Sequence, residues 1–164
     1  KTLGIIGLGT IGKKLIGILQ GFKLQYLAYD IKQDIEFAEK YNIKYCQLSD
    51  LLSESDVVTI HLNLSEETNN LIDYNALKKM KKDAILINTS RGEIIDETAL
   101  VQALDKKLIA GAGLDVYREE PYHGPLLHYD NVITTPHIGA YAKEIRIQME
   151  LEAVKNLIKG LEYE

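Results

Sequence analysis

Short runs of Ile, Val and Leu alternate along this chain with helix-length amphipathic stretches, and this alternation limits the possible folds most severely. Leu3 to Ile6, Leu24 to Tyr29, Ile43 to Cys46, Asp56 to His61, Ala84 to Asn88 and Asn131 to Thr134 read as strands. Ile11 to Gln20 reads as a helix ended by Gly21, and a second helix runs around Asp34 to Tyr41. Ser49 can cap a short helix through Leu52, Asp73 one through Met80, and Asp96 the helix Glu97 to Leu104. Leu108 to Val116 is a further apolar run, and Ala142 to Ile158 is a long helix ended by Gly160. Strands that are apolar on both faces, each followed by a helix, imply an α/β fold. Its sheet is doubly wound and mostly parallel, with helices on both faces. Arg118 to Asp130, with two prolines and two histidines, is the long irregular stretch, and loops of that length tend to carry function. No repeat or linker divides the chain, so residues 1–164 read as one domain.

Composition removes several classes of function. A net charge of −5 and a pI near 5.4, with no basic tract beyond Lys78 to Lys82, argue against nucleic acid as a partner. No apolar run approaches the ~20 residues that span a bilayer, so no membrane role is expected. Cys46 is the sole cysteine, which fits a reducing, cytoplasmic setting. The chain opens on Lys1 and enters a strand at once, as an excised domain or a processed chain would.

The Gly7-Leu8-Gly9-Thr10-Ile11-Gly12 run gains meaning from its place between the first strand and the first helix. Gly7 permits a tight turn, Gly9 lets a pyrophosphate approach the backbone, and Gly12 lets helix and strand pack closely. The helix N-terminus offers free N–H groups to the phosphates. An acidic residue should end the second strand about 20 residues on, and Asp30 stands there. Its carboxylate can accept from ribose hydroxyls and would repel a 2′-phosphate, which favours NAD over NADP. Lys32 is a small argument the other way.

Three charged residues follow strands or open loops: Arg91, Glu120 and His137. Reducing a 2-oxo acid needs a guanidinium for its carboxylate, a proton donor near neutral pH, and a carboxylate that favours the protonated donor. Taken singly, each also reads as a surface arginine, a loop glutamate and a strand-end histidine, and spacing alone does not make them converge. His61 reads as a structural strand-end residue, His123 and His128 as solvent-facing, and Cys46 as a small buried hydrophobe. No pair of histidines or carboxylates has metal-ligand spacing, so no metal is expected.

Four motifs, in order, resemble the D-isomer-specific 2-hydroxyacid dehydrogenases. They are Gly4 to Gly12, Leu86 to Glu97, Gly111 to Tyr117 with Glu120-Pro121, and Asn131 to Gly139. The resemblance implies that Arg91 binds the substrate carboxylate, His137 is the acid/base, and Glu120 pairs with His137. It places Asp115 on the nicotinamide carboxamide, Thr10 and Ile11 on the pyrophosphate, and the backbone from Thr89 through Ser90 to Arg91 on the nicotinamide. His61, Leu62, Asn63 and Thr68 align with the strip over the adenine side, and Gly139 joins the cofactor set. Departures are Asn63 for a usual proline, Ser65 for threonine and Ala142 for a frequent threonine, and none removes a catalytic group.

The same resemblance implies hydride transfer between NADH and a 2-oxo acid, giving a D-2-hydroxy acid, and a homodimer paired through this domain. The family's substrate-binding domain has no counterpart here, so the isolated domain is expected to turn over poorly. Corepressors of the C-terminal binding protein type resemble the family too, which makes an NAD(H)-sensing binding module the alternative. The stretch from Gly139 to Glu144 looks closer to phosphoglycerate dehydrogenase-like members than to D-lactate dehydrogenases.

Overall fold

The computed structural model describes residues 1–161. Seven strands are present: β1 (Thr2–Ile6), β2 (Gln25–Tyr29), β3 (Ile43–Tyr45), β4 (Val57–Ile60), β5 (Ile85–Asn88), β6 (Gly111–Leu114) and β7 (Val132–Thr134). They form one sheet in the order β3-β2-β1-β4-β5-β6-β7, and every pairing is parallel. The helices are α1 (Thr10–Ile18), α2 (Ile35–Tyr41), α3 (Leu48–Glu54), α4 (Tyr74–Lys79), α5 (Glu97–Asp105) and α6 (Lys143–Leu161).

The apolar runs are continuous because both faces of the sheet are buried. Successive strand residues point to opposite faces, and the core divides accordingly. Leu3, Ile5, Tyr26 and Ala28 pack with Ile16 of α1 and Ala38 of α2. Ile6, Leu27, Val58, Ile60 and Leu86 pack on the other side with residues of α3, α4 and α5. Ile85 and Ile133 lie 43% and 73% exposed, so the first face is open over β5 to β7 among the described residues. No residue of α6 is buried, and no helix among the described residues is long and apolar enough to cross a membrane.

Asp73 and Asp96 cap their helices as expected, accepting from the N–H groups of Ala76 at 2.8 Å and Ala99 at 3.1 Å. Asp34 does the same for α2 through Phe37. Ser49 is not a cap: α3 starts two residues earlier than such a cap requires, after Gln47, and the Ser49 hydroxyl turns to Asp50. Gly160 lies inside α6 rather than ending it, because one glycine costs a solvated helix only about 1 kcal/mol. The first helix ends at Ile18 and tightens into a 3-10 turn over Leu19–Gly21. The irregular stretch is pinned by a 3-10 turn over Pro125–His128 that buries Leu126.

Strand order reverses between β1 and β4, and ligands of open α/β sheets bind outside the carboxyl ends of the strands at that point. The glycine run, Asp30, His61, Arg91, Glu120 and His137 all follow carboxyl ends of strands and so share this edge.

Candidate active site

Gly7 leaves β1 with a φ of +93°, a conformation that side chains resist, and its N–H bonds to the Tyr29 carbonyl at 2.9 Å. A Cβ there would also strike the His61 backbone at 2.8 Å. Gly9, by contrast, faces open space, and a Cβ added to it would meet nothing within 4 Å. No side chain caps α1, whereas aspartates cap α2, α4 and α5, so the first turn of α1 keeps its N–H groups for an acceptor from outside. An anionic pyrophosphate fits this cradle. Thr10 and the 64% exposed Ile11 stand beside it.

Asp30 ends β2 half-buried and already accepts two backbone bonds, from Leu8 N–H at 2.7 Å and Lys32 N–H at 2.9 Å. Those bonds orient the carboxylate against the glycine run, and its remaining lone pairs are free for hydroxyl donors. The strip after β4 is folded on itself. Thr68 Oγ1 donates to the Asn63 carbonyl at 2.8 Å and accepts from Ser65 N–H at 2.7 Å, and Leu62 is half-buried beneath it.

The His61 ring sits 3.0 Å from the Thr59 hydroxyl through Nε2. Burial holds its pKa below the ordinary imidazole value, which favours the neutral ring in the folded domain. An unfolded histidine takes up its proton near pH 6.5, so the contribution is full above about pH 6.5 and is lost as the pH falls. We expect the wild-type thermal midpoint to drop relative to His61→Asn as the pH is lowered from about 8 to about 5. Parallel curves would show that His61 plays no part in the acid sensitivity.

Parallel register aligns Asn88, Leu114 and Thr134 at the ends of β5, β6 and β7. Arg91, Glu120 and His137 follow these three positions. Glu120 and His137 meet: Nδ1 of the ring lies 2.9 Å and 3.2 Å from the two carboxylate oxygens. Glu120 also accepts from Tyr117 N–H at 3.1 Å, and Tyr117 stacks on Tyr122 with ring centroids 4.1 Å apart, closing the turn that carries the glutamate. The hydrogen bond from His137 holds the Glu120 carboxyl below its ordinary value, against a smaller opposing effect of burial. Nε2 of His137 has no partner among the described residues and faces outward at a half-exposed ring. The Arg91 side chain joins neither residue; its one hydrogen bond among those described goes to the Ser90 carbonyl at 2.6 Å.

Asp115 is buried, and its carboxylate grips the loop around His137. It accepts from the Thr135 hydroxyl at 2.5 Å and from the N–H groups of Ile138 and Gly139, each at 2.9 Å. Burial raises the Asp115 carboxyl, and these three donors together outweigh it, leaving the group below its ordinary value. This clasp holds His137 at a φ of +54°, uncommon for a residue other than glycine. Both oxygens of Asp115 are therefore already engaged within the chain.

Two neighbours of Arg91 were not singled out from the sequence. Asn88 is fully buried and bonds the turn that leads to Arg91, and a Cβ on Gly92 would lie 2.1 Å from the Tyr117 backbone. The signal for both was available in Asn88-Thr89-Ser90-Arg91-Gly92: a polar residue closing an apolar strand, and a glycine directly after the charged one. His123 and His128 are exposed and Cys46 is half-buried. Among the described residues, no three His, Cys, Asp or Glu side chains cluster as a metal site.

Residues 1–139 match the family described as D-isomer specific 2-hydroxyacid dehydrogenase, NAD binding domain. The glyoxylate reductase of Pyrococcus horikoshii is 46% identical over 159 residues, covering 96% of this chain and 48% of that protein. A solved glyoxylate reductase from Paecilomyes thermophila superposes with a TM-score of 0.92 at 37% identity, covering 99% of this chain and 49% of the other. The NAD complexed form of a D-isomer specific 2-hydroxyacid dehydrogenase from Lactobacillus delbrueckii ssp. bulgaricus gives a TM-score of 0.85 at 35% identity, covering 96% and 53% respectively. The chain spans about half the length of the curated relatives it matches.

Proposed function

The chain belongs to the D-isomer-specific 2-hydroxyacid dehydrogenase family through its NAD-binding domain, and on that premise we propose that it carries the cofactor and the proton-transfer groups of a reductase acting on a small 2-oxo acid. The glycine run, α1 and Asp30 hold NAD, which when bound supplies or accepts the hydride. The Arg91 fork takes the substrate carboxylate by two parallel hydrogen bonds. His137 gives its Nε2 proton to the carbonyl oxygen during reduction and takes it back in the reverse direction. Glu120, bonded to Nδ1, fixes the ring's orientation and leaves Nε2 as the nitrogen that exchanges the proton. The observation that carries this reading is the His137–Glu120 pair at 2.9 Å, with Nε2 left unpaired on the ligand-binding edge.

Glyoxylate and hydroxypyruvate are the substrates we favour. The first is what the Pyrococcus and Paecilomyes relatives are named for, and the second is its hydroxymethyl homologue. Those names favour an enzyme over the corepressor-like module and set phosphoglycerate behind the smaller acids. Residues 1–164 act as the cofactor half of a longer protein, in keeping with relatives twice as long, and a second domain closes over the substrate. We extend the reading to a cytoplasmic homodimer on the family resemblance and the single cysteine. The test is NADH oxidation by the full-length protein with glyoxylate or hydroxypyruvate. Turnover with either supports the reading, and NADH binding without reduction of either acid overturns it.

Cofactor choice is open to a separate test. Hydrogen bonds to a charged group are worth about 1.5–3 kcal/mol each, so Asp30→Ala should weaken NADH about 10- to 100-fold and narrow its advantage over NADPH. Thermal shifts with each nucleotide measure this directly, since a ligand at 100 times its Kd adds about 2.7 kcal/mol. An unchanged preference would remove Asp30 from ribose recognition.

A further inference from the structure

We propose that Asn88 is a positioning residue for Arg91, its buried carboxamide folding the turn after β5 and thereby fixing where the guanidinium meets the substrate carboxylate. This inference rests on the reading of Arg91 as the carboxylate clamp.

Asn88 is fully buried and is one of four buried polar residues among those described. All three of its side-chain bonds go to the turn it begins. Nδ2 donates to the Arg91 carbonyl at 2.8 Å, while Oδ1 accepts from Ser90 N–H at 3.0 Å and from the Ser90 hydroxyl at 3.1 Å. The amide cannot be reversed, because its NH2 would then face the Ser90 N–H and its oxygen the Arg91 carbonyl. The turn therefore has one conformation that satisfies every buried group. Ile94 N–H adds a second bond to the Arg91 carbonyl at 3.3 Å, so the backbone of that residue is held on both sides.

The Arg91 side chain itself is exposed and, among the described residues, bonded only to the adjacent Ser90 carbonyl. Its aim is therefore set by its backbone. Asn88 also accepts Asp115 N–H on its own carbonyl at 3.0 Å, and Asp115 in turn grips the Ile138 and Gly139 amides beside His137. One buried residue thus refers the carboxylate clamp and the proton donor to the same strand end. The separation between those two groups must match a 2-oxo acid, and a misplacement of about 1 Å can cost about 10²-fold.

Only asparagine meets the requirement at this reach. Aspartate keeps the acceptor for Ser90 but has no donor for the Arg91 carbonyl, and alanine loses both. The test uses the full-length protein with Asn88→Ala, the same-sized Asn88→Asp, Arg91→Ala and the double variant Asn88→Asp/Arg91→Ala. NADH binding, read by thermal shift, reports which variants are folded, and Asn88→Asp carries the test where Asn88→Ala fails to fold. We expect Asn88→Asp to raise the KM for glyoxylate or hydroxypyruvate about 10- to 100-fold, with a smaller rise in the Kd for NADH, because the same turn also borders the nicotinamide while most of the cofactor cradle lies on β1, α1 and Asp30. In the Arg91→Ala background the same change should add less than about twofold, because residues acting through one another are not additive. Equal effects in both backgrounds, or an unchanged KM in Asn88→Asp, would overturn the inference. An Arg91→Ala protein with wild-type KM would instead overturn the clamp reading, and an inactive wild-type protein the proposed function.

Discussion

His137→Ala in the full-length protein should lower turnover by ~10²–10⁴-fold, the usual weight of a positioned general acid, and leave NADH binding nearly unchanged. The two effects separate because they rest on different ends of the strand edge. The cofactor cradle is made by β1, α1 and Asp30, while the hydrogen bonds of the His137 ring among the described residues go to Glu120. The backbone at 137 is left-handed, and alanine tolerates that less well than asparagine, so His137→Asn is the companion variant that keeps the loop and removes the acid. The pair also has a pH signature. Glu120 has a depressed pKa in the fold, so the stability from its pairing is present above the ordinary glutamate value near 4.5 and is lost as the pH falls through the lower, folded one. Without His137, the largest cause of that depression is gone, and the acid limb attributable to Glu120 should move back toward the ordinary value. Near-normal turnover in both variants would assign the proton to another group.

Most of the architecture could be read from the sequence because it depends on local rules. Burial on both faces produces continuous apolar strands, aspartates announce helix starts, and a glycine run between strand and helix has a narrow range of uses. The errors share a physical cause as well. Ser49 lost its expected cap because the backbone enters the helix two residues upstream, at Gln47, and Gly160 failed to stop α6 because helix termination needs more than low propensity. The candidate site was read as a list of charged residues, and the pairing of Glu120 with His137, which the fold does bring together, followed from family resemblance rather than from spacing. The bonds that hold them in place were not legible. Asn88 and Asp115 act through bonds to backbone groups brought near only by the parallel register of β5, β6 and β7, and nothing in a histidine residue signals a positive φ.

Gly92→Ala should be the most damaging single-methyl change in the domain. Glycine is required here for space, since its φ is not in the left-handed region. The added Cβ would lie 2.1 Å from the Tyr117 carbonyl carbon, 2.4 Å from its Cα and 2.5 Å from the Arg118 nitrogen. All three are backbone atoms, so no rotamer change can relieve the contact, and either the Arg91 turn or the 117–120 segment must move. Forced insertion of a methyl group into packed structure costs about 1–3 kcal/mol, which for a chain of this size lowers the thermal midpoint by about 2–12 °C. Activity should fall further than stability accounts for, because Tyr117 N–H is one of the bonds that set Glu120 against His137. Gly9→Ala is the control: its Cβ meets nothing within 4 Å, so the midpoint of the unliganded protein should hold, while NADH should bind more weakly because the methyl group would occupy the open face proposed for the pyrophosphate. If Gly92→Ala melts and turns over like wild type, the Arg91 turn and the Glu120 segment are not braced against each other. The geometric link between carboxylate clamp and proton donor would then have to lie elsewhere.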